Sequence, residues 1–169
     1  SQFAKSDNMT DTLAVLSACN NANNDAFFTY MTEFEQKWRD DALVMDKWFG
    51  LHASWSQSDV FKTMLELYKH PAFNIENPNR VRAIIGVFSM ANSKQFHDIS
   101  GMGYQVLTDV LIKLNEINPQ TASRLLTPLM SFKRYDATRQ KLMREQLQRL
   151  ADLPNLSKDL YEKVSQSLS

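Results

Sequence analysis

The sequence contains few of the residues that interrupt helices or build chemical sites. Its 169 residues include four glycines, five prolines, three histidines and one cysteine. A lone cysteine, Cys19, permits no internal disulfide, which fits a reducing compartment, so we expect a cytoplasmic protein. Because Cys19 lies in a segment with helical apolar spacing, we interpret it as a buried, unreactive thiol rather than a nucleophile.

The sequence also lacks long apolar runs. The longest are only a few residues, too short for a helix that spans a membrane. Ser1–Lys5 is not followed by an apolar stretch, so the sequence predicts no secretory signal. The chain begins with Ser rather than Met, which suggests a processed protein or a piece of a longer one.

An excess of either charge is missing as well. The 19 basic residues balance the 19 acidic ones, which argues against a nucleic-acid binder. The charges are nevertheless uneven: residues 25–46 are mainly acidic and residues 133–149 mainly basic. The simpler interpretation is two solvated faces, and the alternative is a positive face turned toward an acidic partner or domain.

Motifs that perform chemistry are absent from the sequence. None of His52, His70 and His97 begins a His-Glu-x-x-His pair, and no other His, Cys or carboxylate cluster has metal-ligand spacing. The stretch Gly101-Met102-Gly103 lacks the further glycine and lysine of a phosphate-binding loop, and Ser100 is not in a Gly-x-Ser-x-Gly elbow. We therefore predict no metal and no catalytic residue within this chain.

The sequence does contain helical apolar spacing along nearly its whole length. Phe27, Met31, Phe34 and Trp38, for example, form one stripe, and alternating strand patterns are absent. We predict an all-α fold of about nine antiparallel helices in one domain, residues 1–169, as an irregular solenoid without a regular tetratricopeptide period. The predicted helices span about 9–21, 25–39, 40–52, 104–117 and 136–150, with others beginning near 56–59, 77–78, 93, 118–119 and 157.

Two of these helices begin with Asn-Pro. Asn77-Pro78 and Asn118-Pro119 combine an N-cap acceptor with a proline at the first helical position. Both starts place arginines, Arg82 and Arg124 among them, in the first two turns, where the helix dipole disfavours cations by roughly 0.3–1 kcal/mol. We infer that these arginines serve something other than helix stability.

The second start has a polar patch of its own. Gln120 and Arg124 are four residues apart and therefore neighbours on one helix face, roughly opposite Leu125. From spacing alone, a solvated face with local ion pairs is the favoured interpretation. The functional alternative is that Gln120, Arg124 and Arg82 line a cavity and bind carboxylates or peptide carbonyls, for which a planar guanidinium is suited.

Several motifs together resemble the C-terminal helical domain of the bacterial aminopeptidase N family, zinc exopeptidases of the gluzincin class. The resemblance extends from about Ser6 to Leu168, and the motifs stand in the same order at compatible spacing. They are Asp7-Asn8-Met9-Thr10-Asp11, Leu43-Val44-Met45-Asp46-Lys47-Trp48-Phe49, Asn77-Pro78-Asn79-Arg80-Val81-Arg82, Phe96-His97, Gly103-Tyr104, Asn118-Pro119-Gln120-Thr121-Ala122-Ser123-Arg124-Leu125 and Lys133-Arg134-Tyr135-Asp136.

The resemblance implies a role within a larger enzyme. In this family the zinc helix lies on a separate catalytic domain, which is missing here, so the fragment is expected to be inactive and to hold no cofactor. The helical domain encloses the active-site cavity, and its partners would be that catalytic domain and a peptide substrate. Arg82 and Arg124 match arginines that face the cavity near the downstream part of the substrate. Gln120 accompanies them, and Arg80 is expected to be structural.

Two other functions remain open from the sequence. The chain could be an independent helical-repeat scaffold that binds a protein or peptide on a concave face. Nucleic-acid binding through the basic segment after Lys133 is the weaker idea, because the net charge is zero.

Overall fold

A computed structural model of the chain describes residues 24–54 and 60–169. Some of the predicted features lie outside these ranges: the helix over 9–21 with Cys19, the Asp7–Asp11 motif and the helix start at 56–59. Within the described ranges there are helices and no strand, so the all-α prediction is confirmed. No helix in these ranges is long and apolar enough to cross a bilayer.

The helices follow one another with short connections. In chain order they are α1 (Asn24–Trp38), α2 (Ala42–Ala53), α3 (Val60–Tyr68), α4 (Pro78–Val81), a π-helical turn (Arg82–Gly86), α5 (Val87–Ala91), α6 (Ser93–Phe96), α7 (Met102–Ile117), α8 (Pro119–Leu125), α9 (Thr127–Met130), a 3₁₀ turn (Phe132–Arg134), α10 (Ala137–Ala151) and α11 (Lys158–Leu168). The chain forms two compact units, and the boundary in the sequence falls between Asn74 and Ile75.

The first unit is built on the predicted aromatic stripe of α1. Phe27, Met31 and Phe34 are buried, and α1 and α3 each pack against α2. Trp48 on α2 donates its indole N–H to the carbonyl of Met31 at 2.8 Å, so the two helices are joined by a buried hydrogen bond as well as by apolar contact.

A buried histidine completes this core. His52 is 7% exposed and meets the ring of Trp48 at a centroid distance of 4.5 Å. Its Nδ1 is buried without a hydrogen-bond partner among the residues that the structure describes. Burial, with a smaller contribution from the charge of His70, lowers the pKa of His52 to about 3. His52 is therefore held neutral in the folded state.

In the second unit, the Asn77-Pro78 start is confirmed. The Asn77 side chain accepts hydrogen bonds from the backbone N–H groups of Asn79 and Arg80 at 3.1 and 3.3 Å. The helical chain continues from Pro78 to Ala91 and includes the π-helical turn at Arg82–Gly86. A π-helical turn contains one residue more than a turn of α-helix. The π-helical turn packs against α8.

Two glycines stand at the start of α7: Gly101 directly before the helix and Gly103 as its second residue. Gly101 has a φ of 74°, which glycine adopts without steric cost. A Cβ at Gly103 would lie 2.3 Å from the carbonyl oxygen of Phe96, so only glycine permits this close approach of α6 and α7. The helix begins at Met102, two residues before the predicted start.

The last two helices are capped and linked by polar side chains. Asp136 and Ser157 accept hydrogen bonds from the N–H groups of Arg139 and Leu160, which fixes the starts of α10 and α11. Asn115 on α7 donates to the carbonyl of Asn155 and accepts from the N–H of Ser157, both at 2.9 Å. These bonds attach the connection between α10 and α11 to α7.

The contact at Gly103 gives a stability prediction. We expect Gly103→Ala to lower the free energy of unfolding by about 1–3 kcal/mol, because backbone atoms of Phe96 must move to admit the methyl group. Gly86→Ala is the matched control, since its new Cβ would find no atom closer than 3.4 Å, an ordinary van der Waals distance. Urea unfolding followed by far-ultraviolet circular dichroism measures both. Equal losses in the two variants would contradict the account.

The burial of His52 predicts a pH dependence of the first unit. The pKa of His52 is lower in the folded state than its ordinary value of 6.5. Its contribution to the free energy of unfolding is therefore complete above pH 6.5 and is lost as the pH falls from 6.5 toward 3. At about 1.4 kcal/mol per pH unit, we expect a loss of about 2–3 kcal/mol between pH 6.5 and 4.5, and a smaller loss in His52→Phe.

Tryptophan fluorescence during urea unfolding measures this effect, because Trp38, Trp48 and Trp55 all precede the unit boundary in the sequence. The same pH dependence in the parent chain and in His52→Phe would exclude His52 as its source.

Candidate functional site

The candidate site is built on α8, whose two ends are determined by prolines. Asn118 caps the start by accepting from the N–H of Thr121 at 3.1 Å, and Pro119 is the first helical residue. Pro128 has no N–H to offer the carbonyl of Arg124 four residues earlier, and its ring would clash with that carbonyl in a continuous helix. The Thr127 hydroxyl donates to the Arg124 carbonyl instead, at 3.0 Å, and α8 ends at Leu125.

This short helix corrects the electrostatic argument for Arg124. Arg124 lies in the last turn of α8, where the helix dipole favours a cation, rather than in an unfavourable position near the start. The argument was wrong because it assumed a longer helix and took no account of Pro128. The cation at Arg124 is therefore no sign, by itself, of a functional demand.

Gln120 and Arg124 are nevertheless brought together in one cleft. Both side chains are exposed on the face of α8 that adjoins α11, while Ala122 and Leu125 are buried in the core. The cleft, which we call the α8–α11 cleft, has a volume of about 530 Å³ and is lined by Gln120, Ser123, Arg124, Asp159, Glu162, Lys163 and Gln166.

The charges in the α8–α11 cleft are balanced. Arg124 and Lys163 supply two cations, and Asp159 and Glu162 supply two carboxylates. Lys163 donates to the backbone carbonyl of Ser123 at 3.0 Å, which ties α11 to α8. Arg124 forms no ion pair with Asp159 or Glu162 in the described part of the chain, so its guanidinium is available to a ligand. The cleft thus offers both hydrogen-bond donors and acceptors.

The sequence did not lead us to predict the residues that α11 contributes to this cleft. Glu162, Lys163 and Gln166 follow Asp159 by three, four and seven residues, which places all four on one polar face of the last helix. That pattern could have identified the face, but not its contact with α8, which lies about forty residues earlier in the chain.

Arg82 lies outside the α8–α11 cleft. Its guanidinium donates to the side-chain oxygen of Asn79, and its side chain is half-buried. A Cβ added to Gly86 would lie 3.6 Å from Arg82 Cβ and 3.4 Å from Leu125 Cδ2 on α8. Arg82 is thus near α8 without sharing its cleft. Arg80 is 4% exposed, in keeping with a structural role.

A second cleft in this unit contains residues that the sequence analysis did not assign as a site. It has a volume of about 700 Å³, and we call it the basic cleft. It is lined by Ser89, Met90, Ser93, His97, Thr127, Pro128, Met130, Ser131, Lys133, Arg134, Tyr135 and Lys163. Lys163 therefore borders both clefts.

The wall of the basic cleft at His97 is held by several contacts. His97 stacks on Tyr135 with ring centroids 4.3 Å apart, and its Nδ1 lies 2.7 Å from the hydroxyl of buried Tyr104. Arg139 donates to the His97 carbonyl at 2.7 Å and to Asp136 at 2.8 Å. Burial and then the Arg139 charge lower the pKa of His97, so the ring is neutral at pH 7.

No cluster of three or more metal-ligating side chains occurs in residues 24–54 and 60–169. His52 and His70 lie near one another in the first unit, but His70 is engaged elsewhere. Its Nδ1 accepts from the N–H of Ala72 at 3.0 Å, and its Nε2 lies 3.5 Å from the Glu35 carboxylate.

Comparison with known proteins gives the family. A family model described as a domain of unknown function, DUF3458_C, with ARM repeats matches residues 1–169. ARM repeats are stacked helices, which agrees with the irregular helical solenoid predicted from the sequence.

The chain is similar in sequence to the C-terminal region of several bacterial aminopeptidases. The chain is 50% identical over 166 residues to aminopeptidase N of Haemophilus influenzae and 46% identical over 168 residues to that of Escherichia coli. These matches cover 98% and 99% of the chain but only 19% of each relative, in the C-terminal region. The chain therefore spans about a fifth of the length of these relatives.

A solved structure has the same fold. The chain superimposes with a TM-score of 0.91 on part of a crystal structure of Legionella pneumophila aminopeptidase A in complex with aspartic acid. The sequences are 29% identical, and the match covers 99% of this chain and 20% of that one.

Proposed function

Because the chain belongs to the DUF3458_C family of ARM-repeat domains, we propose that it is a non-catalytic C-terminal helical domain, or the last part of one, of a zinc aminopeptidase. The observation that carries the proposal is the identity of 46–50% to the C-terminal region of aminopeptidase N over nearly the whole chain. Since that region is about a fifth of each relative, most of each relative lies outside the part that this chain resembles.

In this proposal the reaction takes place on another domain of the same polypeptide. There, a zinc ion would activate water for hydrolysis of the first peptide bond, and this chain would supply no ligand to it. The chain would cover the active site, restrict access to short unfolded peptides and bind the downstream part of the substrate. The enzyme would act in the cytoplasm.

The α8–α11 cleft supplies the groups for such binding. Arg124 has a free guanidinium, and Gln120 offers an amide with both a donor and an acceptor. An extended peptide exposes carbonyl acceptors and N–H donors along its backbone. Arg124 and Gln120 can donate to its carbonyls, and Gln120, Asp159 and Glu162 can accept from its N–H groups. The balanced charge of the cleft favours peptide carbonyls over a free carboxylate as partners of Arg124.

Arg82 has a separate role in this proposal. Its guanidinium is fixed by Asn79, and the π-helical turn places it on an element that packs against α8. π-Helical turns often occur at functional sites. We therefore assign Arg82 to the wall of the same substrate cavity, beyond the α8–α11 cleft.

The proposal predicts a substrate-dependent effect of Arg124→Ala in the full-length polypeptide. We expect kcat/KM for tripeptides to fall roughly tenfold or more, because charge-assisted hydrogen bonds to the downstream carbonyls are lost. An aminoacyl arylamide has no downstream peptide, so its kcat/KM should not change. Steady-state kinetics with both substrates measures the difference.

Arg144→Ala is the matched control, since Arg144 is exposed on α10 and lines neither cleft. Unchanged tripeptide kinetics in Arg124→Ala would remove Arg124 from substrate binding. An equal loss with both substrates would show a structural effect instead.

A further inference from the structure

The two clefts of the second unit differ in charge. The α8–α11 cleft contains two cations and two carboxylates. The basic cleft contains Lys133, Arg134 and Lys163, and none of its lining residues is acidic. The acidic residue that follows Tyr135 in the chain, Asp136, is already bound to Arg139 at 2.8 Å. A concave surface lined by three basic side chains and no acidic side chain favours an anionic ligand.

Arg134 is the strongest donor in the basic cleft. It is exposed, and in the described ranges its guanidinium donates to no protein acceptor and forms no ion pair. The other two basic residues are partly engaged. Lys163 donates to the carbonyl of Ser123 at 3.0 Å, and Lys133 donates at 3.1 Å to the main-chain oxygen of Ser169, which is a carboxylate oxygen in the 169-residue chain. Each ammonium has three N–H groups, so these bonds hold the lysines in place and leave donors free.

His97 adds a neutral donor to the same wall. Tyr104 is fully buried and its pKa is raised to about 12, chiefly by burial, so it keeps its proton. Its hydroxyl has no other hydrogen-bond acceptor among the described residues, so it donates to Nδ1 of His97. The neutral ring of His97 then carries its hydrogen on Nε2, which is free to donate to a ligand.

Among the other lining residues, three hydroxyl groups are already engaged and three side chains are apolar. Ser89, Thr127 and Ser131 donate their hydroxyl hydrogens to backbone carbonyls, so they contribute no free donor. Met90 is 73% exposed, and Pro128 and Met130 add apolar surface beside it. The cleft therefore has a cationic part and an apolar part.

From this arrangement we propose that the basic cleft is an oxyanion-binding site, in which Arg134 binds a carboxylate or phosphate group in bidentate fashion with Lys163 and Lys133 beside it. A guanidinium fork matches two oxygens of either group. This site shares Lys163 with the α8–α11 cleft but is centred on Arg134, which lines the basic cleft and not the α8–α11 cleft, and it does not depend on the proposed peptidase role. Its ligand is free phosphate or an organic molecule with a carboxylate and an apolar body.

The test is a titration of the 169-residue chain with three probes. They are inorganic phosphate, N-acetyl-leucine and the amide of N-acetyl-leucine, which lacks the carboxylate. Isothermal calorimetry in a buffer without oxyanions measures the affinity. We expect saturable binding of at least one of the two anions and none of the amide. Binding of phosphate alone identifies free phosphate as the ligand class, and binding of N-acetyl-leucine identifies an organic carboxylate.

Two variants locate the site. Arg134→Gln should weaken binding at least about tenfold, because a charge-assisted bidentate contact is lost. Arg144→Gln is the charge-matched control. Arg144 is also exposed, but it lies on α10 and lines neither cleft, so its replacement should leave the affinity unchanged.

Four results would overturn the proposal. Three are the absence of binding of either anion, equal binding of the amide, and equal loss of affinity in Arg134→Gln and Arg144→Gln. The fourth is a loss in Arg124→Gln without one in Arg134→Gln, since it would place the anion in the α8–α11 cleft. Unfolding curves of the variants check that the fold is retained, which the exposure of these arginines leads us to expect.

Discussion

The second unit depends on the early end of α8 at Leu125. Pro128 cannot donate to the carbonyl of Arg124, so the carbonyls at this end need other partners. Thr127 satisfies one of them, and Lys163 satisfies that of Ser123 from the last helix. The second bond attaches α11 beside α8 and forms the α8–α11 cleft, while Lys163 and Pro128 also line the basic cleft. The end of α8 thus lies beside both candidate sites, and Lys163 borders both.

The two clefts share Lys163 but differ in their acidic side chains. Next to Gln120 and Arg124, two carboxylates make the surface suitable for the alternating donors and acceptors of a peptide backbone. Around Arg134, where no lining carboxylate competes, the surface is suitable for an oxyanion. A chain with no net charge can therefore present two different binding chemistries on one helical unit, because charge is distributed by helix packing rather than by composition.

Local rules predicted the helix starts from the sequence, and long-range contacts limited the rest. Asn77, Asn118, Asp136 and Ser157 cap helices as their side chains and positions indicate. The prediction that the helix dipole disfavours Arg124 was wrong, because Pro128 was not used to end the helix. The contact of Lys163 with Ser123 could not be predicted from the sequence, because no local pattern specifies which helices pack together. The family came from motif order, and the comparisons agree with it.

The central claim is that this chain is one domain of a larger zinc peptidase, and the coding sequence upstream of Ser1 tests it most directly. The account predicts an open reading frame that continues upstream without a stop codon through a His-Glu-x-x-His motif. A start codon immediately before Ser1, with no zinc motif encoded in the same frame, would contradict it and would favour an independent helical scaffold.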